Sequence, residues 1–216
     1  ACKRYLDEMG GRIVTNLWPY EEVGHTDEAK KELMGLFEGK APFDTPKPVR
    51  LMDRILTIAS DDDSIVLDFF SGSASMAHAV MQKNANDGGH RKFILVQIPE
   101  KTASPDYPTL CEVGKERIRR AGAKILADAE RRNSQLKIGE AETPPPDVGF
   151  RVFKLDASNL KTWDSAPIEG DRDEQLAILH ARMREMIHRI KPDRNALDMV
   201  FEVMLKMGVP LSLPVT

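Results

Sequence analysis

The run Ile65-Val-Leu-Asp-Phe-Phe70, followed at once by Ser71-Gly-Ser-Ala-Ser75, constrains the fold of this chain more than any other feature. A near-continuous apolar run of that length predicts a strand buried on both faces, as in parallel sheets. The turn predicts a sharp change of direction into a helix over 76–84, which Asn86-Asp-Gly-Gly89 ends. Phe93-Ile-Leu-Val96 reads as a second buried strand. Together these segments form one β-α-β unit, whose crossover is expected to be right-handed.

The flanking segments extend the pattern. Arg12 to Trp18 is strand-like and is followed by Pro19, and 26–37 reads as a helix capped by Thr26 or Asp27, with Leu33, Leu36 and Phe37 on one face. Phe43-Asp-Thr-Pro-Lys-Pro48 is an extended approach to a helix in which Leu51, Met52, Ile55, Leu56, Ile58 and Ala59 recur at helical spacing. Residues 109–132 predict a long helix with Gly114, Ile118, Ala121, Ile125 and Ala129 as its apolar stripe. The polar, proline-rich 133–149 reads as a surface linker, and the alternation over 150–155 as a third strand. Two amphipathic helices, 173–190 and 195–207, flank Pro192.

Composition narrows the function classes. The 216 residues carry a formal charge of −3, so a nucleic-acid-binding face has to be local or contributed from elsewhere. Cys2 and Cys111 lie far apart, with no histidine at ligand spacing, which argues against a zinc site or a disulfide framework and points to a reducing, cytoplasmic setting. No apolar run reaches the ~18 residues of a membrane helix. The chain opens on Ala1 in mid-pattern and reads as a fragment or a processed chain.

A strand, an aspartate, a glycine turn and a helix together open a cofactor-binding α/β domain, with ligands expected at the carboxyl ends of the strands. From Gly72 the pattern is G-x-A-x-x-A, so Ala74 stands where a dinucleotide site has its second glycine, and a phosphate loop is excluded because no G-K-[ST] follows. S-adenosylmethionine (AdoMet) brings an ammonium in place of a pyrophosphate. A strand-end carboxylate such as Asp68 suits that ammonium by a charge-assisted hydrogen bond, and the turn lets adenosine lie against the backbone. A turn with no ligand, in which Asp68 caps the following residues, is the bland alternative.

Asp68 to Met81 resembles the AdoMet motif of amino-methyltransferases acting on DNA, and Phe43-Asp-Thr-Pro-Lys-Pro48, directly before it, resembles their motif X. Asp87 to Glu100, Gly114 to Ala121, Gly149 to Asn159 and Asp193 to Pro214 are similar, in the same order, to segments of the modification subunits of type III restriction-modification systems. The resemblance covers roughly residues 20–214. It implies a partial Rossmann-like AdoMet-dependent methyltransferase fold of about three parallel strands flanked by helices, with a C-terminal helical appendage. Residues 1–25 would end an upstream recognition region, 26–160 would be the AdoMet-binding part, and 161–216 the C-terminal helical region. The implied function is the AdoMet-binding part of a site-specific DNA adenine-N6 methyltransferase. Its partners would be DNA, a restriction subunit and a second modification subunit.

The same resemblance assigns roles to residues. Asp68 would hold the AdoMet ammonium, and Gly72 and Ser73, beside Phe69, would line the adenosine. Thr45 and Lys47 of motif X, with Phe43 in the same segment as a further cofactor contact, would approach the carboxylate end of AdoMet. Gln97 or Glu100 would bond the ribose hydroxyls. The catalytic tetrapeptide of this family (Asp, Asn or Ser, then Pro-Pro and an aromatic) does not occur in the sequence, because Thr143-Pro-Pro-Pro-Asp147 has neither the leading residue nor the aromatic. The chain alone is therefore expected to be inactive. The basic stretch Lys115, Arg117, Arg119, Arg120 and Lys124 reads as a solvated helix face, with phosphate contact as the less favoured alternative. Two other functions fit less of the sequence: a subunit-docking module without cofactor, which Ala74 and Gln97 would suit, and a nicotinamide-dependent oxidoreductase, which the missing glycines disfavour.

Overall fold

The computed structural model describes residues 14–136, 143–211 and 213–215. The described chain forms two compact units, Ala1–Gly149 and Phe150–Thr216. The first holds α1 (Tyr20–Val23), α2 (Thr26–Leu36), α3 (Val49–Ala59), β1 (Ile65–Asp68), α4 (Ser75–Asp87), β2 (Lys92–Leu95) and α5 (Leu110–Ser134); the second holds α6 (Arg172–Glu185) and α7 (Ala196–Lys206).

The first unit is built around the predicted β-α-β element. β1 and β2 pair in parallel, with Ile65 opposite Lys92 and Asp68 opposite Leu95. Met52 and Leu56 of α3 and Ala79 and Val80 of α4 form a buried cluster, against which Val66 of β1 and Phe93 of β2 pack. Burial on both faces, expected from the apolar run, is not what the structure shows. Ile65 and Leu67 are 64% and 59% exposed, and Ile94 is exposed as well. Side chains alternate between the faces of a strand, and α3 and α4 cover only the face that carries Val66 and Phe93.

A second cluster joins α2 to α5 through Leu33, Phe37, Leu110 and Val113, with Phe43 and Tyr107 packed on it. The cap of α2 is neither Thr26 nor Asp27 but His25, whose Nδ1 accepts the Glu28 N–H at 3.1 Å. Thr26 is already helical, so the extended residue before it has the capping position. Pro48 precedes α3 in an extended conformation, and a Glu32 carboxylate oxygen accepts the orphan Val49 N–H at 3.2 Å. The stripe predicted for α5 is buried at all five positions, Gly114, Ile118, Ala121, Ile125 and Ala129.

Two predicted strands do not form among the described residues. Residues 14–18 have no regular structure (Arg12 and Ile13 lie outside the described residues). Trp18 Nε1 instead donates to the Thr15 carbonyl at 2.8 Å, a local bond that replaces a ladder. Residues 150–155 are also irregular, and Leu155 is 99% exposed. Alternation defines a strand only where a neighbour supplies the ladder, and Arg151 Nη1 donates instead to the Leu211 and Leu213 carbonyls. Among the described residues the sheet therefore has two strands, not about three. The linker reading holds for 143–149, which have no regular structure, while 137–142 lie outside the described residues.

In the second unit, the helix expected over 173–190 stops at Glu185. The Lys161 N–H donates to the Arg189 carbonyl and the Lys191 N–H to the Asn159 carbonyl, so 189–191 are drawn into extended pairing with 159–161. Glu202 of α7 is the other tie. It accepts from the Ser158 hydroxyl and the Asn159 N–H, at 2.6 and 2.7 Å. With Lys206 as its largest influence, followed by these two donors, its carboxyl is held down to about 2. No residue of α6 or α7 is buried.

Candidate cofactor site at the strand ends

The turn between β1 and α4 is left-handed at two places. Gly72 has φ +52°, and Ala74, the N-cap of α4, has φ +62°. An alanine in that region costs about 1–2 kcal/mol relative to glycine. Its methyl recovers about 0.8 kcal/mol of this by burial. Ala74 is buried, and its Cβ faces Gly114 of α5, where an added Cβ would lie 3.5 Å away. The methyl at the second-glycine position is thus directed into the α4–α5 interface and leaves the turn's outer surface clear.

That outer surface is open. A Cβ built on Gly72 meets nothing within 4 Å. The Gly72 N–H donates to Gln97 Oε1 at 2.7 Å, and the Ser71 N–H to the Val96 carbonyl at 3.2 Å. Gln97 Nε2 in turn donates to the Ile98 carbonyl at 3.1 Å. The Gln97 amide is thereby committed to anchoring the turn on the end of β2. Asp68 ends β1, and its Oδ1 accepts the Phe70 N–H at 3.2 Å, the turn-capping bond of the bland reading. Its other carboxylate oxygen has no hydrogen-bond partner among the described residues, so capping does not use up its acceptor capacity.

The expected site residues other than Ser73 fall into three groups. Asp68 ends β1, and Gly72 and Gln97 are hydrogen-bonded to each other just past the strand ends. Phe43 and Glu100 line an open cavity of about 370 Å³, together with Asp44, Lys101 and Tyr107. Thr45, Lys47 and Phe69 are exposed, and Phe69 stacks at a tilt on Phe70. The Ser73 side chain points inward, because its hydroxyl accepts from Arg117 Nη1 at 3.0 Å.

Arg117 was missed by sequence reasoning. The solvated-face reading holds for its neighbours, which form ion pairs on the helix surface: Lys115 with Glu112, and Arg120 with Glu116 and Glu38. Arg117 itself has 0% exposure. The signal was present in the spacing, since 117 lies three after Gly114 and four before Ala121 and so falls on the buried stripe. Burial pulls its guanidinium down to about 10, opposed by the Glu32 carboxylate, so it stays charged at neutral pH.

His78, one turn into α4, sits beside this charge. Burial first, then Arg117 and Lys124, push its imidazole down to about 3, and its Nδ1 has no hydrogen-bond partner among the described residues. Above pH ~6.5 His78 is neutral in the folded and unfolded chains alike and adds no pH dependence. Below that, the unfolded chain takes a proton that the folded chain refuses until about pH 3, so stability falls as pH falls. The expected loss between pH 7.5 and pH 5 is at most about 2 kcal/mol. Urea unfolding of the chain and of His78→Gln at both pH values checks this, since the glutamine variant loses that component of the slope.

The DNA methylase family matches residues 3–117, more than half of the sequence. The chain belongs to the DNA methylase family. Its relatives include the Mod subunit of the type III restriction-modification enzyme StyLTI from Salmonella typhimurium, 38% identical over 166 residues, which are 74% of this chain and 23% of that protein. The EcoPI Mod subunit of Escherichia phage P1 is 37% identical over 62% of this chain and 21% of its own length. The EcoP15I Mod subunit of Escherichia coli is 37% identical over 59% and 18%. This DNA methylase chain spans about a fifth of the length of the curated relatives it matches. Among its described residues, no helix is long and apolar enough to cross a membrane, and no cluster of histidine, cysteine or acidic residues could hold a metal.

Proposed function

We propose that this chain is the AdoMet-binding part of a site-specific DNA adenine-N6 methyltransferase of a type III restriction-modification system, built on a partial Rossmann-like fold. The observation that carries this reading is the strand-end arrangement. A carboxylate with spare acceptor capacity stands at Asp68, beside a left-handed Gly72 over which space is open. A pyrophosphate would need an anion cradle there, whereas an amino-acid ammonium needs an acceptor, which Asp68 provides. Bound AdoMet would supply an electrophilic methyl group.

The chain's own residues would bind and orient the cofactor. Asp68 would take the ammonium, and the Gly72 backbone would lie along the adenosine, with Phe69 exposed beside it. Phe43 and Glu100 line the same cavity. Because the Gln97 amide is committed to the turn, Glu100 is the better candidate for the ribose hydroxyls and Gln97 for holding Gly72 in place. Thr45 and Lys47 would approach the carboxylate end from motif X. Holding and methylating a flipped-out adenine would need the Pro-Pro tetrapeptide, which this sequence lacks.

Photolabelling with methyl-labelled AdoMet tests both halves of the reading. The expected label on the chain is displaced by S-adenosylhomocysteine and not by NAD, and none passes to DNA. No displaceable label would contradict cofactor binding, and labelled DNA would contradict the inactivity of the chain by itself.

One feature favours an additional role for the second unit. Ile187, Leu205 and Met207 are among its strongly exposed apolar side chains. Docking to a partner, a restriction subunit or a second modification subunit, would cover these side chains. In this reading docking and cofactor binding reside in different units.

A further inference from the structure

We infer that Arg117 is a positioning residue for the cofactor turn: a buried guanidinium on α5 that bridges the hydroxyls on either side of Ala74 and holds the turn in the shape a ligand would meet. The inference rests on the AdoMet-binding reading above and adds a residue that no motif of the turn contains.

The geometry is that of a two-sided brace. From outside, Gln97 Oε1 accepts the Gly72 N–H at 2.7 Å. From inside, Arg117 Nη1 donates to Ser73 Oγ at 3.0 Å and to Ser75 Oγ at 2.7 Å. Between these anchors lies Ala74, a non-glycine residue at φ +62°. Such a conformation persists only where its surroundings over-determine it. Ser73 and Ser75 are both buried, so the clamp is shielded from competing water.

Stability alone does not account for Arg117. Its Nε and Nη2 are buried without hydrogen-bond partners among the described residues. A guanidinium satisfied through one nitrogen costs more to bury than an apolar side chain of similar length, and exchanging such a group for a hydrophobe is often neutral or stabilising. The two serine bonds are what the arginine provides in return, and both go to the turn.

Arg117→Met in the full chain therefore separates positioning from simple support. The expected result is an unfolding midpoint that is unchanged or higher. At the same time, hydrogen exchange at the Gly72 and Ala74 amides accelerates about tenfold, and affinity for S-adenosylhomocysteine falls about tenfold. The Val96 amide, which donates to the Asp68 carbonyl in the β1–β2 pairing, keeps its protection. Wild-type protection at Gly72 and Ala74 in the variant would overturn the inference, as would a parallel loss at Val96 with a lower midpoint. Should Arg117→Met not fold, Ser75→Ala removes the shorter of the two bonds and is read against the same amides. If the unaltered chain fails to bind S-adenosylhomocysteine, the AdoMet reading falls, and the exchange data still decide whether the brace exists.

Discussion

Replacing Leu56 with alanine is expected to destabilise the first unit by about 3 kcal/mol. Leu56 is 2% exposed and packs with Met52, Ala79 and Val80 under Val66 and Phe93. Removing its branched end leaves a cavity beneath both strands, because the helices that cover this face are tied to each other and close up only partly. Ile58, on the same helix but 42% exposed, is the control, with less than about 1 kcal/mol expected for Ile58→Ala. Urea unfolding of the two variants checks the difference. Equal losses would mean that the α3–α4 layer is not what supports the strand ends.

Asp68→Asn carries the second large effect. The amide keeps an oxygen for the Phe70 N–H, so the turn-capping bond of 3.2 Å survives and stability stays within about 1 kcal/mol of the parent. The charge needed for an ammonium is lost. A charge-assisted hydrogen bond is worth about 1.5–3 kcal/mol, so affinity for AdoMet should fall roughly 10- to 100-fold. Calorimetric titration of parent and variant reads this directly. Unchanged affinity would reduce Asp68 to the turn cap that its contact with Phe70 already makes it.

The β-α-β unit was legible because three local signals agree over 65–96: apolar run, glycine turn and helical spacing. The stripe of α5 was legible from helical spacing alone. The features that were not legible depend on neighbours. The alternation at 150–155 cannot report that no strand among the described residues lies beside it. The apolar run at 65–70 cannot report that helices cover only one of its faces. The end of α6 is set by pairing between 159–161 and 189–191, a contact across some thirty residues. In the proposed site, Asp68 and Gly72 are candidates by residue type and motif position. Gln97 was legible as a candidate but not in its role, since nothing local shows that its amide would be engaged by Gly72. Arg117 was hidden by its charge, although its place in the α5 stripe pointed inward.

The most direct measurement is calorimetric titration of the unaltered chain with S-adenosylhomocysteine, with NAD as the comparison. The Asp68 carboxylate and the open Gly72 backbone predict saturable binding of the adenosyl amino acid at one site per chain and no binding of the dinucleotide. Absence of S-adenosylhomocysteine binding, or NAD binding of equal strength, would contradict the assignment of these strand ends as an AdoMet site.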